Sequence, residues 1–210
     1  MDSSFWYGLL VAALSFFNIQ PAEIQTPAWL QQGIERVRES SREQVQAQAA
    51  ERFDGRVTAV SDGDSLRITD NHGRSRRVRL AYVDAPELQQ AGGAASRDAL
   101  RRLADGQNVQ VWVFEQDAYR RDVVQVWVGG QDAGLTQIEG GHAWHYASYA
   151  KRGQSRVDYA EYAYQEALAR RQRRGLWQAQ DPQAPWAYRK AQRAAQQPAS
   201  RTDGALDALW

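Results

Sequence analysis

Between Asp62 and Glu87 the chain spaces its acids and arginines in a way that suits phosphate chemistry. Asp64 stands in DGDS at 62–65, Asp84 and Glu87 in DAPE at 84–87, and Arg79 on the VRLAY stretch between them. A strand–turn–strand reading, turning around Asn71-His72-Gly73, brings both ends of this stretch to one end of a sheet. Carboxylate oxygens there suit a hard divalent cation, and a guanidinium fork matches phosphate oxygens. Farther on, DAYRR at 117–121 adds Tyr119, Arg120 and Arg121. Each piece also has an ordinary reading: Asp-Gly is a turn dipeptide, and Asp-Ala-Pro-Glu ends a strand on proline.

The elements that must position these groups follow from periodicity. Val57 and Ala59, Leu66 and Ile68, and Val78, Leu80 and Tyr82 alternate with polar or small residues as strands do. Asp64 and Asp84 share parity with the apolar rows, which places them where each row reaches a strand end. Arg79 has the opposite parity, so a bulge or strong curl is expected to turn it toward the acids. A helix is expected over 94–105, strands over 108–115 and 122–128, and helices over 132–139 and 155–173. Short strands with helices inserted between them fit a small closed barrel better than a parallel sheet.

Taken together, DGDS, VRLAYVDAPE and DAYRR resemble the staphylococcal nuclease (thermonuclease) family, over residues 53–190. The GLW at 175–177 and the Pro-Trp-x-x-Arg-Lys close at 185–190 belong to the same resemblance. It implies an α+β fold, an OB-like five-stranded barrel with about three helices. It implies a calcium ion on Asp64, Asp84 and the Ala85 carbonyl, with Glu87 as general base. Arg79 and Arg121 would clamp the phosphate, and Tyr119 and Tyr149 would pack on sugar and base. The activity implied is phosphodiester hydrolysis of DNA, with RNA as a second candidate substrate, leaving 3′-phosphate ends. The alternative is a catalytically weak nucleic-acid or protein binding module, tethered to a membrane. Arg120 departs from the pattern by standing where the family has glycine. If the loop needs a positive φ there, an arginine is strained, and its side chain adds charge beside the substrate.

Across all 210 residues the formal charge is +1, from 26 Lys and Arg against 25 Asp and Glu, so no global polycation announces a nucleic-acid partner. Lys151 and Lys190 are the only lysines; the remaining positive charge is arginine. Cysteine is absent, which excludes disulfides and thiolate metal sites. His142 and His145 lie near a Gly-Gly break without a third histidine, too few ligands for a metal. Trp112, Trp127 and Trp144 are read as core.

Residues 5–19 form an apolar run, short for a bilayer span and of signal-peptide length. They imply export to the periplasm or medium, or membrane association by anchoring. Residues 27–52 carry a weak apolar stripe, Leu30, Ile34, Val37, Ser41 and Val45, and read as a solvated spacer helix. Residues 191–210 read as a disordered tail. No obligate protein partner is evident.

Overall fold

The computed structural model describes residues 28–196. The apolar run at 5–19 and the end of the tail lie outside them. Five strands close into a barrel. These are β1 (Glu51–Val60), β2 (Ser65–Asp70), β3 (Ser75–Leu80), β5 (Asn108–Gln116) and β6 (Asp122–Val128), in the order β3-β2-β1-β5-β6. All neighbours are antiparallel except the closing pair, where β3 runs parallel to β6 with Arg79 opposite Val123. Two-residue strands add to this frame: β4 (Val83–Asp84) pairs with β8 (Trp144–His145), and β7 (Gln131–Asp132) extends β6.

Closure follows from the alternation. Val57, Leu66, Ile68, Val78, Leu80, Val109, Val111, Val124 and Val126 point inward and make one buried cluster. Register slips between Val57 and Ala59 and between Val113 and Glu115 supply the curvature that a five-stranded barrel needs.

Helices α2 (Gly93–Ala104), α3 (Ala133–Glu139) and α5 (Arg156–Arg171) stand where the sequence places them. Asp132 caps α3 by accepting from the Gly134 N–H at 2.8 Å, and Ser155 caps α5 by accepting from the Asp158 N–H at 3.0 Å. A short α4 (Ala147–Ala150) precedes α5. A further helix, α6 (Pro185–Gln196), starts on a proline, which suits the first helical turn. Residues 191–196, expected to belong to a disordered tail, continue this helix.

The spacer reading of the N-terminal helix α1 (Ala28–Gln48) gives way. Ile34 and Val37 pack against Val157, Tyr164 and Leu168 of α5. Ser41 is buried, its Oγ 2.8 Å from Ser155 Oγ and donating to Asp158 Oδ1 at 3.3 Å. Arg38 pairs with Glu161 at 3.2 Å, and Arg42 lies 4.1 Å over the Trp127 ring while donating to the Gly130 carbonyl. The stripe is weak in hydrophobicity because polar groups do half of the docking. None of the described helices is long and apolar enough to cross a membrane.

Candidate active site

The acidic turn at 62–65 is held from both sides. Asp62 accepts from the Asp64 N–H at 3.0 Å. Gly63 is required by space: a Cβ there would stand 1.8 Å from Ser96 Oγ on α2. Gln137, buried on α3, donates from Nε2 to the Gly63 carbonyl at 2.7 Å and to the Ser96 carbonyl at 3.1 Å. Neither Ser96 nor Gln137 carries a local motif. They were not legible as site residues because their role exists only once two helices meet the turn.

Asp64 is 3% exposed and Asp84 0%. Asp64 Oδ1 accepts from Ser65 Oγ at 2.9 Å, and its Oδ2 accepts from the Ala85 N–H at 3.0 Å. Arg79 joins the two acids, donating to Asp64 Oδ1 at 3.3 Å and to Asp84 Oδ1 at 2.8 Å. Burial works against the Arg79 charge, but the Asp64 and Asp84 carboxylates outweigh it and raise its pKa further. Asp62 is pushed up to about 6 by burial and then by the Asp64 charge.

Of the bulge or strong curl expected to turn Arg79 toward the acids, the bulge is absent between β2 and β3. Residues 65–69 of β2 pair regularly with β3, Ser65 opposite Arg79. The parity argument fails on the other side. β3 stops at Leu80, and Tyr82 takes a φ of 66°, so the chain turns before Asp84 and its side-chain alternation restarts. Asp64 likewise precedes β2.

Arg121 reaches the cluster through Ser65, donating from Nη1 to Ser65 Oγ at 3.3 Å. Asp117 fixes it: Oδ2 accepts from Arg121 Nε at 2.8 Å, and Oδ1 accepts from the main-chain N–H of Tyr119 and Arg121, each at 2.9 Å. Burial disfavours the Asp117 charge, yet these hydrogen bonds prevail and lower its pKa. Arg120 takes a φ of 59° and is exposed, bordering a groove shared with Arg74, Arg76 and Arg77. Tyr119 is 73% exposed, with the Arg121 guanidinium 5.5 Å from its ring. Tyr149 is half-buried, packs 6.0 Å from Tyr82 and donates to Glu115 Oε1 at 2.6 Å. Burial, then that hydrogen bond, raises its pKa, and the Arg79 charge is near enough to act on it.

Glu87 meets the cluster through a residue to which the sequence assigned no role. Arg189 on α6 donates to Glu87 Oε1 at 3.0 Å and to Asp84 Oδ1 and Oδ2 at 3.1 and 2.7 Å. The only hint was its place in the Pro-Trp-x-x-Arg-Lys close. His145, by contrast, is a core residue, its Nε2 2.9 Å from Gln154 Oε1. Among the described residues, no group of three or more His, Cys, Asp or Glu is set to hold a metal. The hard donors that do face each other are Asp64 and Asp84, two carboxylates bridged by one guanidinium. That donor chemistry fits a hard divalent cation completed by carbonyl and water oxygens.

A family model described as Staphylococcal nuclease homologue matches residues 77–179, a span that takes in Arg79, Asp84, Glu87 and Arg121. A micrococcal nuclease of Shigella flexneri is 38% identical over 152 residues, covering 68% of this chain and 84% of that protein. An uncharacterized endonuclease of Escherichia coli is 36% identical over 136 residues, covering 64% and 84%. A probable staphylococcal-like nuclease of Oryza sativa subsp. japonica is 36% identical over 144 residues, but the chain spans only 36% of its length. Identity of 36% and 38% over 84% of two bacterial relatives, on a barrel that gathers the acids and arginines at one end, establishes that this chain belongs to the staphylococcal nuclease homologue family.

Proposed function

We propose that the chain is a calcium-dependent nuclease that hydrolyses phosphodiester bonds of DNA and RNA. The observation that carries this reading is the gathering of Asp64, Asp84, Arg79 and Arg121 around Ser65, with Glu87 linked to Asp84 through Arg189. Asp64 and Asp84 would hold the cation, with the Ala85 carbonyl a further oxygen donor. When bound, it offsets the two carboxylate charges and polarises a phosphoryl oxygen.

Glu87 takes a proton from water as the water oxygen attacks phosphorus. Charge gathers on the non-bridging oxygens, where the Arg79 and Arg121 forks neutralise it. The bond from phosphorus to the 5′ oxygen breaks, that oxygen takes a proton from solvent, and the other product keeps a 3′-phosphate. Tyr119 and Tyr149 offer ring faces to sugar and base. Stacking of this kind is tolerant of sequence, as a general nuclease requires.

The test is cleavage of single-stranded DNA and RNA by the full chain, with calcium and then with excess chelator. Activity should vanish with chelator and return with added calcium. Glu87→Gln should bind substrate yet turn over about 10²- to 10⁴-fold more slowly, the usual worth of a general base. Cleavage that survives exhaustive chelation would overturn the calcium reading. A Glu87→Gln enzyme within threefold of the parent would remove Glu87 as the base.

A further inference from the structure

Among the described residues, Arg189 is the one cation at this site that does not come from the barrel. Its guanidinium grips Asp84 end-on, with Nη2 2.7 Å from Oδ2 and Nη1 3.1 Å from Oδ1, and Nη1 also reaches Glu87 Oε1 at 3.0 Å. Asp84 is fully buried, so its contacts with Arg189 are screened less by water than the Glu87 contact, where both partners are partly exposed. Arg79 already satisfies Asp84 Oδ1 from the other side at 2.8 Å. A divalent cation that takes Asp84 as a ligand therefore meets two positive groups on one carboxylate, and like charges at such separations repel strongly.

The two arginines differ in how firmly they are held. Arg79 lies on β3, its main chain paired with Ser65 on one side and Val123 on the other. Arg189 rides on α6, whose only buried residue is Pro185. Three residues before it, Trp186 is 39% exposed and stacks on Tyr146 with ring centroids 5.6 Å apart. Of the two elements that carry these arginines, α6 is the more lightly packed.

We infer that Arg189 is a positioning residue that competes with the divalent cation for Asp84. It holds Asp84 and Glu87 together from the C-terminal helix and is exchanged when the cation takes Asp84. This rests on the calcium reading above. It makes α6 a closing element whose grip on the barrel weakens as cation binds, and it makes Arg189 a determinant of the calcium concentration at which the site fills.

The experiment is calorimetric titration of calcium chloride into chelator-stripped full-length protein, with no substrate present. Arg189→Ala should bind calcium about 3- to 30-fold more tightly, because a charge competing for a buried carboxylate is gone. Arg189→Lys keeps a charge but loses the fork, so its affinity should fall between the two. Melting temperatures supply a second reading: both variants should melt lower than the parent in chelator, and calcium should narrow the gap. A purely structural arginine would lower both melts equally and leave affinity unchanged or weaker, and that result overturns the inference. If Arg189→Ala does not fold, Arg189→Lys decides by the same two measurements. A parent protein that binds no calcium would sink the calcium reading and this inference together. Unchanged affinity in the variants, beside measurable binding by the parent, sinks the role of Arg189 alone.

Discussion

Arg120 has a left-handed backbone, φ 59°, inside a loop of fixed design. The same design occurs a second time. Asp70 accepts from the His72 and Arg74 N–H groups at 2.9 Å and from Arg74 Nε at 2.7 Å, as Asp117 does for Tyr119 and Arg121. In that copy the residue before the arginine is Gly73, with φ 79°. The positive φ thus belongs to the loop and not to Arg120, which is strained by roughly 1 kcal/mol against a glycine. Asp117 pins Arg121 through side chain and main chain together, so the strain does not displace it. Arg120→Gly should stabilise the protein by about 0.5–1 kcal/mol in urea denaturation. Turnover should stay within severalfold, and the Michaelis constant for DNA at low salt should rise, because one charge leaves the groove beside Arg74 and Arg77. Near-complete loss of turnover would show instead that Arg120 is the phosphate clamp.

At the scale of elements, α1 matters more than its composition promises. It continues into the barrel within two residues, the Ala50 N–H donating to the Val113 carbonyl at 2.8 Å, and its stripe covers Val157 and Tyr164. Val45 on the same helix is 2% exposed. Removing residues 1–48 should leave a barrel that still folds, since its closed ring of strands contributes the larger cluster. That fragment should be less stable by roughly 3 kcal/mol or more, from exposure of two or three apolar side chains. Equal denaturation midpoints for the two proteins would mean that α1 is a spacer after all.

The whole molecule carries a pH dependence in the same interface. Asp158 is raised from 3.8 to about 6, by burial first and by the Asp132 charge second. A raised carboxyl favours its protonated form in the fold, so the contribution of Asp158 to stability is greatest below its ordinary value of 3.8 and falls as pH climbs through about 6. At neutral pH the buried charge costs roughly 1–3 kcal/mol. Asp158→Asn keeps an oxygen for Ser41 Oγ and should stabilise the protein by about that much at pH 7 while changing little at pH 4. Equal effects at both pH values would rule out titration of Asp158 as the cause.

The alternating apolar rows, and hence the barrel, are written in the order of the residues. Short-range turn chemistry likewise made the DGDS turn and the Asp117–Arg121 loop legible, because Asp62 and Asp117 accept from main-chain N–H groups two to four residues on. Tertiary structure alone decided which groups complete the site. Arg189 meets Asp84 across 105 positions of chain, and Gln137 meets Gly63 across 74. The orientation of Arg79 was also a tertiary matter, since strand parity ends where Tyr82 turns the backbone. Local pattern reports periodicity and turns, whereas a lone polar residue on a helix becomes a site residue only when the fold puts a buried partner opposite it.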